Sequence, residues 1–190
     1  RCDMAMLPLN NIFFNTWIGV LKKYGFEKPE KEFWEEAILA VKSKTPDFIF
    51  IAETYWDLEW QLQKLGFDFT YDKKLTDRLV AGDIRGIKDH LNAEKSYQDK
   101  SVRFLENHDE DRAIVKLGRE RSIAAAVITG TIPGIALYFD GQCDGKKTKL
   151  PLQLGREPEE KQDEKIKEFY RTLLKITKAD VFRNGFWKLL

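Results

Sequence analysis

The chain has 190 residues, 43% of them hydrophobic and 13% aromatic, about one domain's worth with a sizeable core. Its 32 basic and 31 acidic residues leave a formal charge of +1, so charge makes no case for nucleic acid or an anionic membrane as partner. No run approaches the ~18 apolar residues of a transmembrane helix, and two cysteines, Cys2 and Cys143, predict free thiols rather than a disulfide framework or a metal site.

In chain order, the first residues are Arg1-Cys2-Asp3, with no initiator methionine and no signal-peptide pattern. This start reads as the middle of a longer polypeptide and offers no basis for assigning a compartment. Residues 30–42 show a helical pattern. A continuous β-prone run follows at 48–52, after Pro46-Asp47, and ends in Glu53. Residues 58–65 read as a helix and residues 67–71, after Gly66, as a second strand. His90 falls in an amphipathic stretch, where a surface or packing role is expected. A third strand is predicted at 102–105, a helix at 119–129, and a fourth strand at 135–139 after Pro133-Gly134.

A charged helix is predicted over 159–178, with the charge-rich residues 156–167 as its approach and solvated face. Residues 181–190, with Asn184-Gly185 between β-prone pairs, predict the first hairpin of a C-terminal β domain. Short strands separated by helices predict βα units and a parallel sheet, an α/β fold. No internal repeat or low-complexity tract is visible.

The residues that follow the strands carry the functional signal. Glu53 ends the first run, Asp109 follows the third within "FLENHDEDR" (residues 104–112), and Asp3 follows whatever precedes Arg1. Two readings are open: acids at strand ends serve as helix caps, or they line the rim of a (β/α) barrel, where strand C-termini converge on an active site. Converging carboxylates suit glycosidic cleavage, one protonating the leaving oxygen and another attacking the anomeric carbon.

Four ordered segments resemble the α-amylase family. "RCDMA" looks like its nucleophile motif, with an arginine two residues before the catalytic aspartate. "FIAETYW" resembles the general-acid segment. "FLENHDED" is similar to the last catalytic motif, with its adjacent histidine and aspartate, and "GIALYFDGQ" with "KLPLQLGR" resembles the eighth strand and its loop. The resemblance runs over residues 1–156. It implies a (β/α)8 TIM barrel, of which residues 1–180 are the portion from the end of the fourth strand through the eighth strand and last helix.

The resemblance further implies retaining cleavage of α-glucosidic bonds in α-glucans or maltooligosaccharides. Asp3 is then the nucleophile, Glu53 the general acid and base, and Asp109 the stabiliser of the distorted sugar. Arg1 orients Asp3, and His108 donates to a sugar hydroxyl. Tyr55 and Trp56 are placed on the substrate, where aromatic rings stack on sugar faces, whereas Trp60 is placed in the core. Asp140 and Gln142 either touch substrate or cap their loop.

Two departures from the family stand out. Many members follow the nucleophile with a Lys-His pair linked to sugar binding and a structural calcium. Here Met6 and Leu7 stand in those places, so no metal and no cofactor is expected. The earlier βα units of a full barrel, about four of them, are not in this sequence, so the expected partner besides the glucan is an N-terminal half of the same polypeptide. A transglycosylase, a non-catalytic amylase-like scaffold and an unrelated α/β protein are the alternatives. The presence of Arg1, Asp3, Glu53, His108 and Asp109 together argues against the scaffold, since a decayed site has no physical reason to keep all five.

Overall fold

The computed structural model describes residues 1–151, 153, 156 and 158–190. Leu152, Leu154 and Gly155, from the segment compared above with the eighth-strand loop, and Glu157 lie outside the described residues. The chain divides into two units, Arg1–Asp72 and Lys73–Leu190.

The first unit runs α1 (Asn10–Lys23), α2 (Phe33–Lys42), β1 (Ile51–Ala52), α3 (Glu59–Lys64) and β2 (Phe69–Tyr71). β1 and β2 pair in parallel, with Ile51 opposite Phe69 and Ala52 opposite Thr70. Cys2 adds a parallel bridge to Ala52. One position further along this register stand Asp3, Glu53 and Tyr71, side by side at the strand ends. The β-prone run at 48–52 forms a strand only at its end. Phe48 and Ile49 stay exposed, and the Asp68 carboxylate, rather than a neighbouring strand, takes the Phe50 N–H at 2.8 Å.

Helix α2 has Glu35 and Glu36 in its first turn and Lys42 in its last, the arrangement the helix dipole favours. It presents Ile38 to a core of Ala5, Met6, Leu9, Phe50, Ala52, Leu62 and Phe67. Burying one such large apolar side chain stabilises the unit by about 1.5–3 kcal/mol. Trp34 packs edge-on to Phe67 at 5.0 Å and donates its indole N–H to the Ala5 carbonyl at 2.6 Å, tying α2 to the loop after Asp3. Helix α1 buries none of its residues.

The second unit contains α4 (Lys73–Ala81), α5 (Ile84–Leu91), α6 (Lys95–Asp99), β3 (Ser101–Arg103), α7 (Ala113–Thr131), β4 (Ile135–Ala136), a 3-10 turn at Gln142–Asp144, α8 (Glu164–Ile176) and α9 (Val181–Asn184). β3 and β4 are parallel, with Val102 opposite Ile135 and Arg103 opposite Ala136. The chain enters β4 through Gly134, at φ 107°, so close to β3 that a Cβ would lie 2.2 Å from the Ser101 carbonyl oxygen. Only glycine fits there.

Helix α7 starts earlier than the pattern at 119–129 predicts. Gly118, at φ 72°, breaks its helical geometry one residue before Arg119, which separates the first turn from the periodic stretch. Helix α8 begins where the Asp163 carboxylate accepts the Lys165 and Ile166 N–H groups, and it buries Ile166, Tyr170 and Leu173 along one face. That face joins Leu75, Leu79, Ile87, Leu91, Leu105, Leu117 and Ala126 in the second core.

The predicted hairpin over 181–190 does not form. Residues 181–184 make a helical turn, with the Asn184 side-chain amide donating to the Asp180 carboxylate at 2.6 Å and the Gly185 N–H to the Val181 carbonyl at 3.0 Å. These local bonds within five residues replace the cross-strand bonds that a hairpin would need.

Candidate active site

In the first unit the parallel register sets the site. The Cys2 N–H donates to Ile51 O at 2.8 Å, the Glu53 N–H to Cys2 O at 3.0 Å, and the Ala5 N–H to Glu53 O at 2.8 Å. Asp3 and Glu53 are therefore fixed on neighbouring strand ends, and a carboxylate oxygen of each lies within 4.8 Å of the other. Their surroundings differ sharply. Asp3 has a side chain 70% exposed, whereas that of Glu53 is 1% exposed.

Arg1 bridges the two carboxylates. Its Nη1 lies 3.0 Å from Asp3 Oδ1 and its Nη2 2.8 Å from Glu53 Oε2. Glu53 Oε2 also accepts the Met4 N–H at 3.0 Å, and Glu53 Oε1 accepts the Tyr55 hydroxyl at 3.2 Å. A buried carboxylate needs such partners, because an uncompensated charge there carries a desolvation penalty of several kcal/mol, to order of magnitude. Met4 adopts φ 41° to present its N–H.

Trp56 and Asp57 follow at φ 65° and 60°. Left-handed backbone in non-glycine residues costs about 1–3 kcal/mol each and clusters at ligand-binding loops. Trp56 is 60% exposed, while Tyr55 is partly buried against the core. Trp60, expected in the core, is instead 39% exposed, with Lys64 Nζ 5.2 Å above its ring. Helix α3 turns Glu59, Leu62 and Gln63 inward, which leaves Trp60 on its outer side.

In the second unit, "FLENHDEDR" runs on from β3 through buried Phe104 and Leu105. Glu106 is buried and ion-paired with buried Arg112 at 2.8 Å, and its other oxygen accepts the Ala113 N–H that opens α7. Burial pushes the Glu106 carboxyl above the usual glutamate range, and the bonds from Ala113 and Arg112 offset this only in part. Arg112 also donates to Asp140 O at 2.5 Å and Thr148 O at 2.9 Å, and its guanidinium lies 5.1 Å from the centre of the Phe139 ring.

The Asn107 side chain accepts the Asp109 and Glu110 N–H groups at 2.9 and 3.0 Å. Burial works to raise the Glu110 carboxyl, but bonds from Lys116 and Lys73 outweigh it and hold that group below its ordinary value. The loop is thus anchored at its buried ends, and His108 and Asp109 stand at its tip. His108 Nε2 lies 3.5 Å from Asp109 Oδ2, and the Asp109 side chain is 51% exposed.

Of the remaining sequence candidates, His90 and Gln142 have side chains engaged in packing and loop contacts. His90 is buried edge-on to Tyr97 at 5.9 Å. The Gln142 side chain accepts the Phe139 N–H and donates to the Tyr170 hydroxyl, which makes it a loop clasp. Asp140 supplies its carbonyl to Arg112. Met6 is buried in the apolar core and Leu7 is exposed.

Three residues escaped the sequence reading: Tyr71, Glu106 and Arg112. Tyr71 is buried at the end of β2, and its hydroxyl accepts Arg1 Nε at 3.1 Å. The one available signal was its place at the end of a predicted strand.

Among known proteins, Alpha-amylase 3 of Dictyoglomus thermophilum is 26% identical over 176 residues, which make up 85% of this chain and 35% of that protein. Alpha-amylase MalA of Haloarcula japonica is 32% identical over 122 residues, 60% of this chain and 18% of that protein. The chain therefore spans about a third or less of the curated relatives it matches.

Among solved structures, the cyclic α-maltosyl-(1→6)-maltose hydrolase of Arthrobacter globiformis, in complex with maltose, superposes with a TM-score of 0.67 at 20% identity, over 81% of this chain and 39% of that one. The debranching enzyme of Nostoc punctiforme gives 0.69 at 18% identity, over 88% and 40%. These neighbours are (β/α)8-barrel enzymes, and the likeness shows that the chain has the fold of part of such a barrel. No protein-family model matches the chain.

Proposed function

We propose, on the premise that the chain belongs to the α-amylase family, that its strand-end residues cleave α-glucosidic bonds in α-glucans or maltooligosaccharides with retention of configuration, as part of a longer catalytic domain. The observation that carries this reading is the pair of carboxylates, Asp3 open to solvent and Glu53 buried, within 4.8 Å of each other and bridged by Arg1. Retaining glycosidases separate their two carboxyl groups by about 5–5.5 Å, whereas inverting enzymes need about 6.5–9.5 Å to admit a water between them. The short spacing supports retention.

In this reading Glu53 protonates the glycosidic oxygen as Asp3 attacks the anomeric carbon. The bond to the leaving sugar breaks and a glycosyl ester forms on Asp3. Water then attacks the anomeric carbon of that ester, giving its proton to Glu53 and releasing Asp3. Burial suits Glu53 to the proton-transfer role, since exclusion of water strengthens its coupling to the leaving oxygen. Exposure suits Asp3 to contact with the sugar ring. Trp56 offers an accessible ring for stacking, and His108 and Asp109 are assigned to sugar hydroxyls.

In the full chain, Asp3→Asn is expected to abolish release of reducing ends from maltooligosaccharides, and NMR of freshly formed wild-type product is expected to show the α-anomer. Wild-type-like turnover by Asp3→Asn, or an initial β-anomer, overturns the assignment. Products longer than the substrate mark transfer to a sugar acceptor instead of hydrolysis.

A further inference from the structure

Arg1 directs one guanidinium nitrogen to each of three partners: Nη1 to Asp3 at 3.0 Å, Nη2 to Glu53 at 2.8 Å, and Nε to the Tyr71 hydroxyl at 3.1 Å. The third partner is a neutral residue from a different strand. Tyr71 stands in register with Asp3 and Glu53, because Cys2, Ala52 and Thr70 are aligned one position before them. Its ring also lies beneath the guanidinium, 5.7 Å from ring centre to Cζ.

We propose that Tyr71 is a positioning residue for the reaction described above: by accepting Nε and supporting the guanidinium plane, it sets the orientation in which Arg1 holds the nucleophile and the acid/base together. A guanidinium is a planar fork, so two fixed directions determine the third. Arg1 itself is partly exposed, with a side chain at 35%, and its partner Asp3 is 70% exposed, so the carboxylates supply only one firmly fixed direction, that of buried Glu53, and leave the plane free to tilt. The Tyr71 hydroxyl removes that freedom from below. Tyr71 is 3% exposed, so its own rotamer is locked by packing. Burial pushes its phenol above the ordinary tyrosine range despite the opposing effect of Arg1, and the group remains a neutral hydroxyl at physiological pH.

The inference rests on the retaining reading, and Tyr71→Phe in the full chain separates the two. That variant keeps the ring and loses only the acceptor oxygen. We expect kcat on maltooligosaccharides to fall about ten- to a hundredfold, since misplacement of reacting groups by 1 Å can cost about a hundredfold. KM is expected to stay within about twofold, because substrate contacts are untouched, and Tm to stay at the wild-type value. A purely packing role for Tyr71 predicts the opposite, an unchanged kcat in Tyr71→Phe, and that result overturns the proposal. If wild type cleaves no glucan, the functional reading fails. The positioning claim is then decided by a crystal structure of Tyr71→Phe, where rotation of the Arg1 guanidinium off one carboxylate upholds it and unchanged contacts to both refute it.

Discussion

Arg112→Met tests whether the Glu106–Arg112 pair holds the loop that carries His108 and Asp109. Both side chains are almost fully buried, at 1% and 2% exposure, and 2.8 Å apart. Removing the guanidinium leaves Glu106 with the Ala113 N–H but without its paired countercharge, and it frees two carbonyls, Asp140 O and Thr148 O. Breaking a buried pair from one side costs about 3–5 kcal/mol, because a charge is left desolvated and unpaired. At about 2–4 °C per kcal/mol for chains of this size, Tm falls by about 6–20 °C.

Urea unfolding followed by circular dichroism measures the loss directly. Glu106→Leu strands Arg112 in the same way and also removes the acceptor that opens α7, a cap worth about 1 kcal/mol. The double variant removes both charges and should cost less than the sum of the singles, with a coupling of about 1–3 kcal/mol. The deficit of Arg112→Met should also shrink in acid, as protonation neutralises the orphaned carboxylate. A single variant within about 1 kcal/mol of wild type, or strictly additive effects, refutes the anchoring argument.

Glu110 predicts a pH dependence. Burial works against ionisation, yet Lys116 and Lys73 hold its carboxyl below the ordinary value of 4.5. Its contribution is therefore fully present above that value and is lost as pH falls through the lower folded-state value. Between about pH 5 and pH 3 the wild-type urea midpoint should fall further than that of Glu110→Gln, and equal falls exclude the effect. Because Met6 and Leu7 stand where the α-amylase motif that "RCDMA" resembles continues with its calcium-linked Lys-His pair, EDTA treatment should leave both activity and Tm unchanged, and a drop of many degrees would reveal a metal site elsewhere in the polypeptide.

The alternation of strand and helix was legible because apolar runs bounded by Pro46-Asp47, Gly66 or Pro133-Gly134 have few other uses. The strands came out shorter than the runs for a reason local patterns do not contain: a residue counts as strand only where a neighbour pairs with it. Phe48 and Ile49 have the β propensity, but at Phe50 the N–H bonds a side chain, Asp68, rather than a neighbouring strand. The hairpin at 181–190 failed through the same ambiguity. Asn184-Gly185 marks a turn, but an asparagine and a glycine also end a helix, and Asp180 captures Asn184 first.

Among the site residues, legibility followed charge and exposure. Glu53 stood out as the acid that closes a β-prone run, and Asp3 and Asp109 through "RCDMA" and "FLENHDED", the segments in which they stand. Glu106 and Arg112 did not, since in a run of ionisable residues nothing local separates a buried pair from its solvated neighbours. Tyr71 was hidden for a different reason. As the last aromatic of a β-prone run, it looks like one more core side chain, and its ring does pack as one. Its hydroxyl acquires a role only once the parallel register brings the end of β2 level with Glu53 and Asp3, and that register is set by pairing between distant segments. A search limited to ionisable residues at strand ends therefore finds the groups that would carry charge in the reaction and passes over the neutral groups that orient them. The two classes differ in where their information lies, the first in the residue's own chemistry and the second in its neighbour across the sheet.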